Sequence, residues 1–225
     1  MGDTYALTLY NRSPQPSLTF AVFAVMPVKS GQRDASNVYP LVWLACPLNE
    51  GNQVTFTWTL DFSLGFARHG CQEDRPWRNE GEPFPVRYDD TILNSALLDH
   101  PNDDYTFTRP EKAHPIRPPR IYLDTTGLIP PWTLEDGPSV GLAIVGGEQD
   151  ETPEPTPAIV TDSGPDLLHT FDLDPAYYIH AGQDPARTMV ALDTVTTFQQ
   201  VTFPTQPCEQ WTLDASNNWL HGPPH

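Results

Sequence analysis

The sequence predicts an all-β protein: a β-sandwich of about a dozen short, mostly antiparallel strands joined by proline-rich loops, spanning residues 1–225 as a single domain. Three observations lead there. Apolar and polar residues alternate with period two, most cleanly in "VTFTWTLDF" at Val54–Phe62. The 26 prolines are more than double the usual share of about 5%, and prolines at that density end helices and confine strands to short or edge positions. Clusters of Gly, Asn, Asp and Ser separate the apolar runs.

Taken in order, Thr4–Tyr10 reads as the first strand, closed by "NRSPQPS", and Leu18–Met26 as the second. "SGQRDASN" reads as a loop and "PLVWLACP" as one short strand between prolines. In Val54–Phe62, the residues Val54, Phe56, Trp58, Leu60 and Phe62 share one face, and Thr55, Thr57, Thr59 and Asp61 share the other. That predicts a sheet with one core face and one wet face. The pattern breaks from Cys71 to Asp104, where "TILNSALLDH" fits a helical turn or a strand. Strands resume at Asp104–Thr108, Arg120–Asp124, Ser139–Val145, Pro157–Thr161, Leu167–Leu173, Ala176–Ala181, Arg187–Leu192 and Gln200–Phe203. Glu209–Asp214 and Asn218–Gly222 form an expected closing hairpin, and the acidic, proline-bearing Gly146–Pro157 reads as an exposed loop.

Composition narrows the function. The net charge of −17 opposes binding to nucleic acid and to anionic membranes. Met1–Tyr10 has an early Asp and no basic stretch, and Leu18–Val28 is too short to span a bilayer. The expectation is a soluble chain, cytoplasmic or released by a non-classical route. Cys46, Cys71 and Cys208 share no metal-ligand spacing. Three reduced thiols are the plain reading, with one disulfide plus a free thiol as the alternative.

No motif calls for a catalytic residue, a metal or a cofactor. "GPSVG" at Gly137–Gly141 matches a nucleophile-elbow pattern, but Pro138 precedes Ser139 and a strand-like run follows where a helix is needed. His100 lies beside Asp99, Asp103 and Asp104 in a turn-rich segment that needs no cation. Trp43, Trp58 and Trp211 fall in strand patterns and are assigned to the core. Trp77 and Trp132 fall in proline-rich loops, where an indole either stacks on a sugar or partner protein or caps the core. Tyr177 and Tyr178 are adjacent in a strand, so one faces in and one faces out.

"YALTLYNRS", "LVWLA", "VTFTWTLDFSLGFARHG", "VGLAIVG", "TFDLDPAYYIHAGQ", "QVTFP" and "NNWLHG" follow one another in a series that resembles the RhiA family of rhizosphere-expressed proteins and their microbial relatives. Val54–Gly70 and Thr170–Gly182 carry the likeness most clearly. The chain departs from the family pattern in the longer, more polar Cys71–Arg87, in the acidic segment Glu148–Pro157, and in "LDP" at Leu173–Pro175 where the family has "PHP". The resemblance implies a soluble protein of a microbial community and brings no catalytic residue. The expected function is therefore a non-enzymatic structural or interaction protein that associates with itself as a homo-oligomer. The alternatives are a glycan-binding module, with Trp77, Trp132, Tyr177 and Tyr178 as contacts, and a hydrolase with a carboxylate pair that no motif marks.

Overall fold

The computed structural model describes residues 4–31, 33–34, 38–72, 76–133, 137–182, 198–203 and 207–224. Among these lie eighteen strands, one short 3-10 turn at Pro101–Asp103 and no α-helix. No helix among the described residues is long and apolar enough to cross a membrane. The strands are β1 (Thr4–Asn11), β2 (Leu18–Val25), β3 (Val28–Ser30), β4 (Arg33–Asp34), β5 (Val38–Pro40), β6 (Leu44–Leu48), β7 (Gln53–Ala67), β8 (Phe84–Val86) and β9 (Ser95–Asp99). They continue with β10 (Thr106–Thr108), β11 (Arg120–Thr125), β12 (Ser139–Glu148), β13 (Glu154–Asp162), β14 (Leu168–Asp172), β15 (Ala176–Gly182), β16 (Gln199–Val201), β17 (Cys208–Leu213) and β18 (Trp219–His221).

These strands form three packed sheets, an all-β, sandwich-like fold. The largest runs β18-β17-β1-β7-β12-β13-β5, with β8 also paired to β7. A six-stranded sheet runs β10-β9-β11-β14-β3-β4, and a four-stranded sheet runs β16-β15-β2-β6. Pairing is antiparallel except where β1 meets β17 and β9 meets β11. One continuous apolar cluster draws Leu7, Leu9 and Trp58 from the large sheet, Phe20, Val22 and Ile179 from the four-stranded sheet, and Ile121, Leu123 and Phe171 from the six-stranded sheet.

β7 is the spine. Its first half pairs with β1 on one side, and nearly its whole length pairs with β12 on the other. Val54, Phe56, Trp58 and Phe62 are buried, as the alternation predicts, while Asp61 is exposed. Leu60 is only half-buried. The cause is a register break: Ile144 pairs with Phe62 but Gly146 pairs with Trp58, so Thr59–Asp61 bulge from the ladder.

Several expectations need correcting. "PLVWLACP" is two strands in different sheets, β5 and β6, with the buried Leu41–Trp43 carrying the chain between them. "SGQRDASN" includes β4, which turns back on β3 with Gly31 at φ +66°. "TILNSALLDH" contains the strand β9 rather than a helix. The segment Gly146–Pro157 is mostly strand, because β12 reaches Glu148 and β13 starts at Glu154. Alternating acids and prolines on an exposed hairpin hide the apolar period that marks a half-buried strand. The expected strand Arg187–Leu192 lies outside the described residues.

The face assignment of β7 gives a direct test. Trp58 is 1% exposed, so Trp58→Ala should cost roughly 3–5 kcal/mol in urea unfolding. Thr57→Ala, on the half-buried opposite face, should cost well under that. Equal losses would contradict the packing.

Candidate functional site

Trp77, in the segment after β7, was expected either to stack on a sugar or partner or to cap the core. Trp77 turns in and is 5% exposed, filling a small second core with Leu41, Ala67 and Val160. What holds it is Ser139, the first residue of β12. The Trp77 indole Nε1 donates to Ser139 Oγ at 2.8 Å, and Ser139 Oγ donates to the His69 carbonyl at 2.7 Å. Ser139 is fully buried with its hydroxyl engaged in both bonds, so it works as a clamp between the end of β7 and the following segment. Gly141 makes room for the ring: a Cβ there would lie 3.2 Å from Trp77 Cη2 and 2.8 Å from Val160.

Trp132 is 37% exposed. Its loop folds over Gly70, where a Cβ would come within 2.8 Å of the Trp132 indole nitrogen. A cleft of about 460 Å³ opens nearby, lined by His69, Gln72, Trp77, Arg78 and Glu80 among others. Arg68 pairs with Glu80 at 3.3 Å and with Asp104 at 3.5 Å, and its guanidinium lies over Tyr105. That pairing occupies one acid of the cleft and one of the acids beside His100. Asp99 in turn accepts from the Thr126 hydroxyl and the His100 amide.

Tyr177 and Tyr178 do face opposite ways. Tyr177 is 6% exposed and packs on Trp58 at 5.2 Å between ring centroids. Tyr178 is half-buried and stacks on Phe23 at 5.5 Å. Trp43 and Trp58 are core residues as expected, and Trp211 is half-buried against His221. Of the four aromatics proposed as contacts, only Trp132 and Tyr178 thus leave part of a ring accessible, and they lie on different loops and strands.

Cys46, Cys71 and Cys208 are all free thiols. Burial, then Glu148, pushes Cys46 up to about 11. Burial, then Asp162, pushes Cys71 up still further. Both are thiols rather than thiolates at neutral pH, so neither is an activated nucleophile. Hydrogen bonds hold Asp89, Asp90 and Asp214 below the ordinary carboxyl range. Among the described residues no group of three His, Cys, Asp or Glu side chains is placed to hold a metal ion.

One buried histidine was given no role from the sequence. His169 on β14 is fully buried, with Nδ1 2.9 Å from Ser30 Oγ and Nε2 2.8 Å from Ser163 Oγ. It ties β3 and β14 to the loop that leaves β13. The period-two pattern of "LLHTFDL" carries the signal, because it puts His169 on the same face as Phe171. Burial pushes His169 down to about 4.

The sheet edges are the remaining feature. The outermost strands β18, β5, β10, β4 and β16 are three residues long or shorter, a common way of blunting an edge. β6 is longer, at five residues. Leu220 on β18 is 51% exposed, and Ile92, Ile116 and Leu128 are exposed on loops.

Stacked β-sheets with free thiols and engaged hydroxyls define an all-β, sandwich-like protein. The sequence model of the RhiA family matches residues 2–221, and the chain belongs to that family. Protein RhiA of Rhizobium leguminosarum bv. viciae is 28% identical over 218 residues, which cover 90% of this chain and 79% of that protein. No solved structure matches the chain.

Two predictions follow from the buried polar groups. Ser139→Ala leaves the Trp77 indole and the His69 carbonyl without their partner, and should cost about 1–3 kcal/mol in chemical denaturation. The folded protein should also resist covalent labelling of Ser139 by a fluorophosphonate. For His169, the unfolded chain takes up a proton near pH 6.5 and the folded one resists it until about pH 4. Its share of stability is therefore complete above pH 6.5 and lost as pH falls toward 4, by about 3 kcal/mol in all. His169→Gln should flatten the stability profile across that window. The depressed carboxylates act only at lower pH.

Proposed function

We propose that this RhiA-family protein works by association rather than catalysis, as a structural or interaction protein that pairs with copies of itself through β18. The observation that carries the reading is the end of the large sheet. β18 pairs with β17 on one side, and among the described residues no strand covers its other side. It presents Leu220 at 51% exposure. Two copies joined antiparallel across a twofold axis would continue the large sheet and cover both leucines. Repulsion between chains of −17 opposes this contact, and salt screens it over a Debye length of about 8 Å at physiological strength.

The glycan-binding alternative draws on Trp132, the one exposed indole beside the polar cleft, since Trp77 and Tyr177 offer little ring face. The hydrolase alternative is weaker. A general acid needs a raised pKa, and the shifted carboxyls among the described residues, Asp89, Asp90 and Asp214, are all shifted down.

Sedimentation velocity across salt and protein concentration tests the reading. Self-association should strengthen as salt rises, and Leu220→Lys should weaken it about tenfold or more, equivalent to about 1.4 kcal/mol. A strict monomer under every condition would defeat it and turn attention to a glycan array probed with wild type and Trp132→Ala.

A further inference from the structure

β6 closes the four-stranded sheet, and among the described residues only its β2 side is paired. Along it run two adjoining cavities of about 540 Å³ and 240 Å³. Trp43, Leu44 and Ala45 line the first and Cys46 lines the second, so four consecutive residues border one trough. The opposite wall is the β12–β13 hairpin, and Glu148 and Glu151 line both cavities.

Three features of the trough bear on what fits it. First, Glu148, Asp150, Glu151 and Glu154 line it, and no cation among the described residues pairs with them. Burial first, then Glu148 and Glu151, pushes the Cys46 thiol up. Second, Trp43 is 2% exposed and its indole N–H has no hydrogen-bond partner. The ring edge carrying that N–H is turned to the wall, with Cζ2 3.0 Å from where a Gly146 Cβ would sit. A buried donor without an acceptor is costly. Third, Gly147 lines the first cavity, and a Cβ there would make only ordinary van der Waals contact, with Pro153 Cα at 3.8 Å.

We propose that this trough binds an extended, lysine- or arginine-rich segment of a partner protein, added as a strand to the outer edge of β6. An edge strand offers its outward N–H and C=O groups as a template. Side chains of the added strand alternate, so one set meets the apolar floor of Leu44, Ala45 and Phe56. The other set, if cationic, meets the four carboxylates. Pro47 has no N–H to give, so pairing centres on Leu44–Cys46. Charge favours a basic partner over a second copy of this chain, whose net charge is −17. The contact is separate from the β18 edge.

The test is fluorescence anisotropy at low salt with a labelled peptide alternating lysine and valine. Its controls are a glutamate–valine counterpart and two versions N-methylated at alternate residues, one in each register. The lysine peptide should bind and weaken as salt rises, and the glutamate peptide should not bind. Methylation in one register should abolish binding. The Trp43 indole proton should shift on titration in the nitrogen–proton NMR spectrum. A variant combining Glu148→Gln, Glu151→Gln and Glu154→Gln should bind about tenfold more weakly or worse with unchanged thermal unfolding. Leu220→Lys should bind the peptide as wild type does, which separates this proposal from self-association through β18. No binding of the lysine peptide would overturn it. So would equal binding of both methylated versions, which would mark nonspecific attraction, or equal binding by the glutamine variant, which would place the peptide elsewhere.

Discussion

The packing of Trp58 is the contact on which the architecture depends. Its ring stacks on Tyr5 of the neighbouring strand at 5.7 Å and meets Trp43 edge-on at 5.4 Å. It also meets Tyr177 at 5.2 Å and Phe203 at 5.5 Å. Tyr5 belongs to the large sheet and Tyr177 to the four-stranded sheet, so this aromatic cluster joins the two. Aromatic pairs in offset and edge-to-face geometry add to the area they bury. The cluster also explains Gly146, which pairs with Trp58 across the ladder. Any side chain there would press on both Trp43 and Trp58 within 3.0 Å. The bulge in β7 begins at this point, where the ladder gives way to the rings.

What the sequence discloses depends on whether a segment has one wet face. Val54–Phe62 does, so its period was plain. The rest of β7, Ser63–Ala67, is buried on both faces and lost its alternation. Asn79 is part of the reason: its Oδ1 accepts from the Phe66 amide, and it packs so closely that Gly65 has no room for a Cβ. Trp77 could not be placed for a related reason. Its partner Ser139 lies 62 positions away, and nothing local in a proline-rich segment encodes that bond. The outer ends of β12 and β13 read as loop because a strand on a solvated arm needs no apolar stripe. Strand partners are a tertiary property, which is why the sheet order and the parallel pairings were beyond reach of the pattern.

The chemistry of the interior is quiet in a consistent way. The most buried titratable groups are kept neutral: His169 between two serines, and Cys71 beside Asp162. Paired charges lie at the surface, as in the Arg87–Asp89 pair, or half-buried, as in the Arg120–Asp172 pair. Four further acids, Glu148, Asp150, Glu151 and Glu154, lie on the arm formed by β12 and β13.

The parallel pairing of β1 with β17 has a consequence for how the chain is made. Ala6 lies opposite Cys208 and Asn11 opposite Leu213, so the largest sheet joins strands about two hundred positions apart. During synthesis, β1 can meet β7 early, but its other edge stays bare until residues beyond 207 have left the ribosome. Contacts of such long sequence separation slow folding, and an uncovered edge invites the wrong neighbour meanwhile. A premature stop that removed only β17 and β18 would therefore do more than shorten the protein. It would expose the full length of β1, next to the aromatic cluster, in every copy translated.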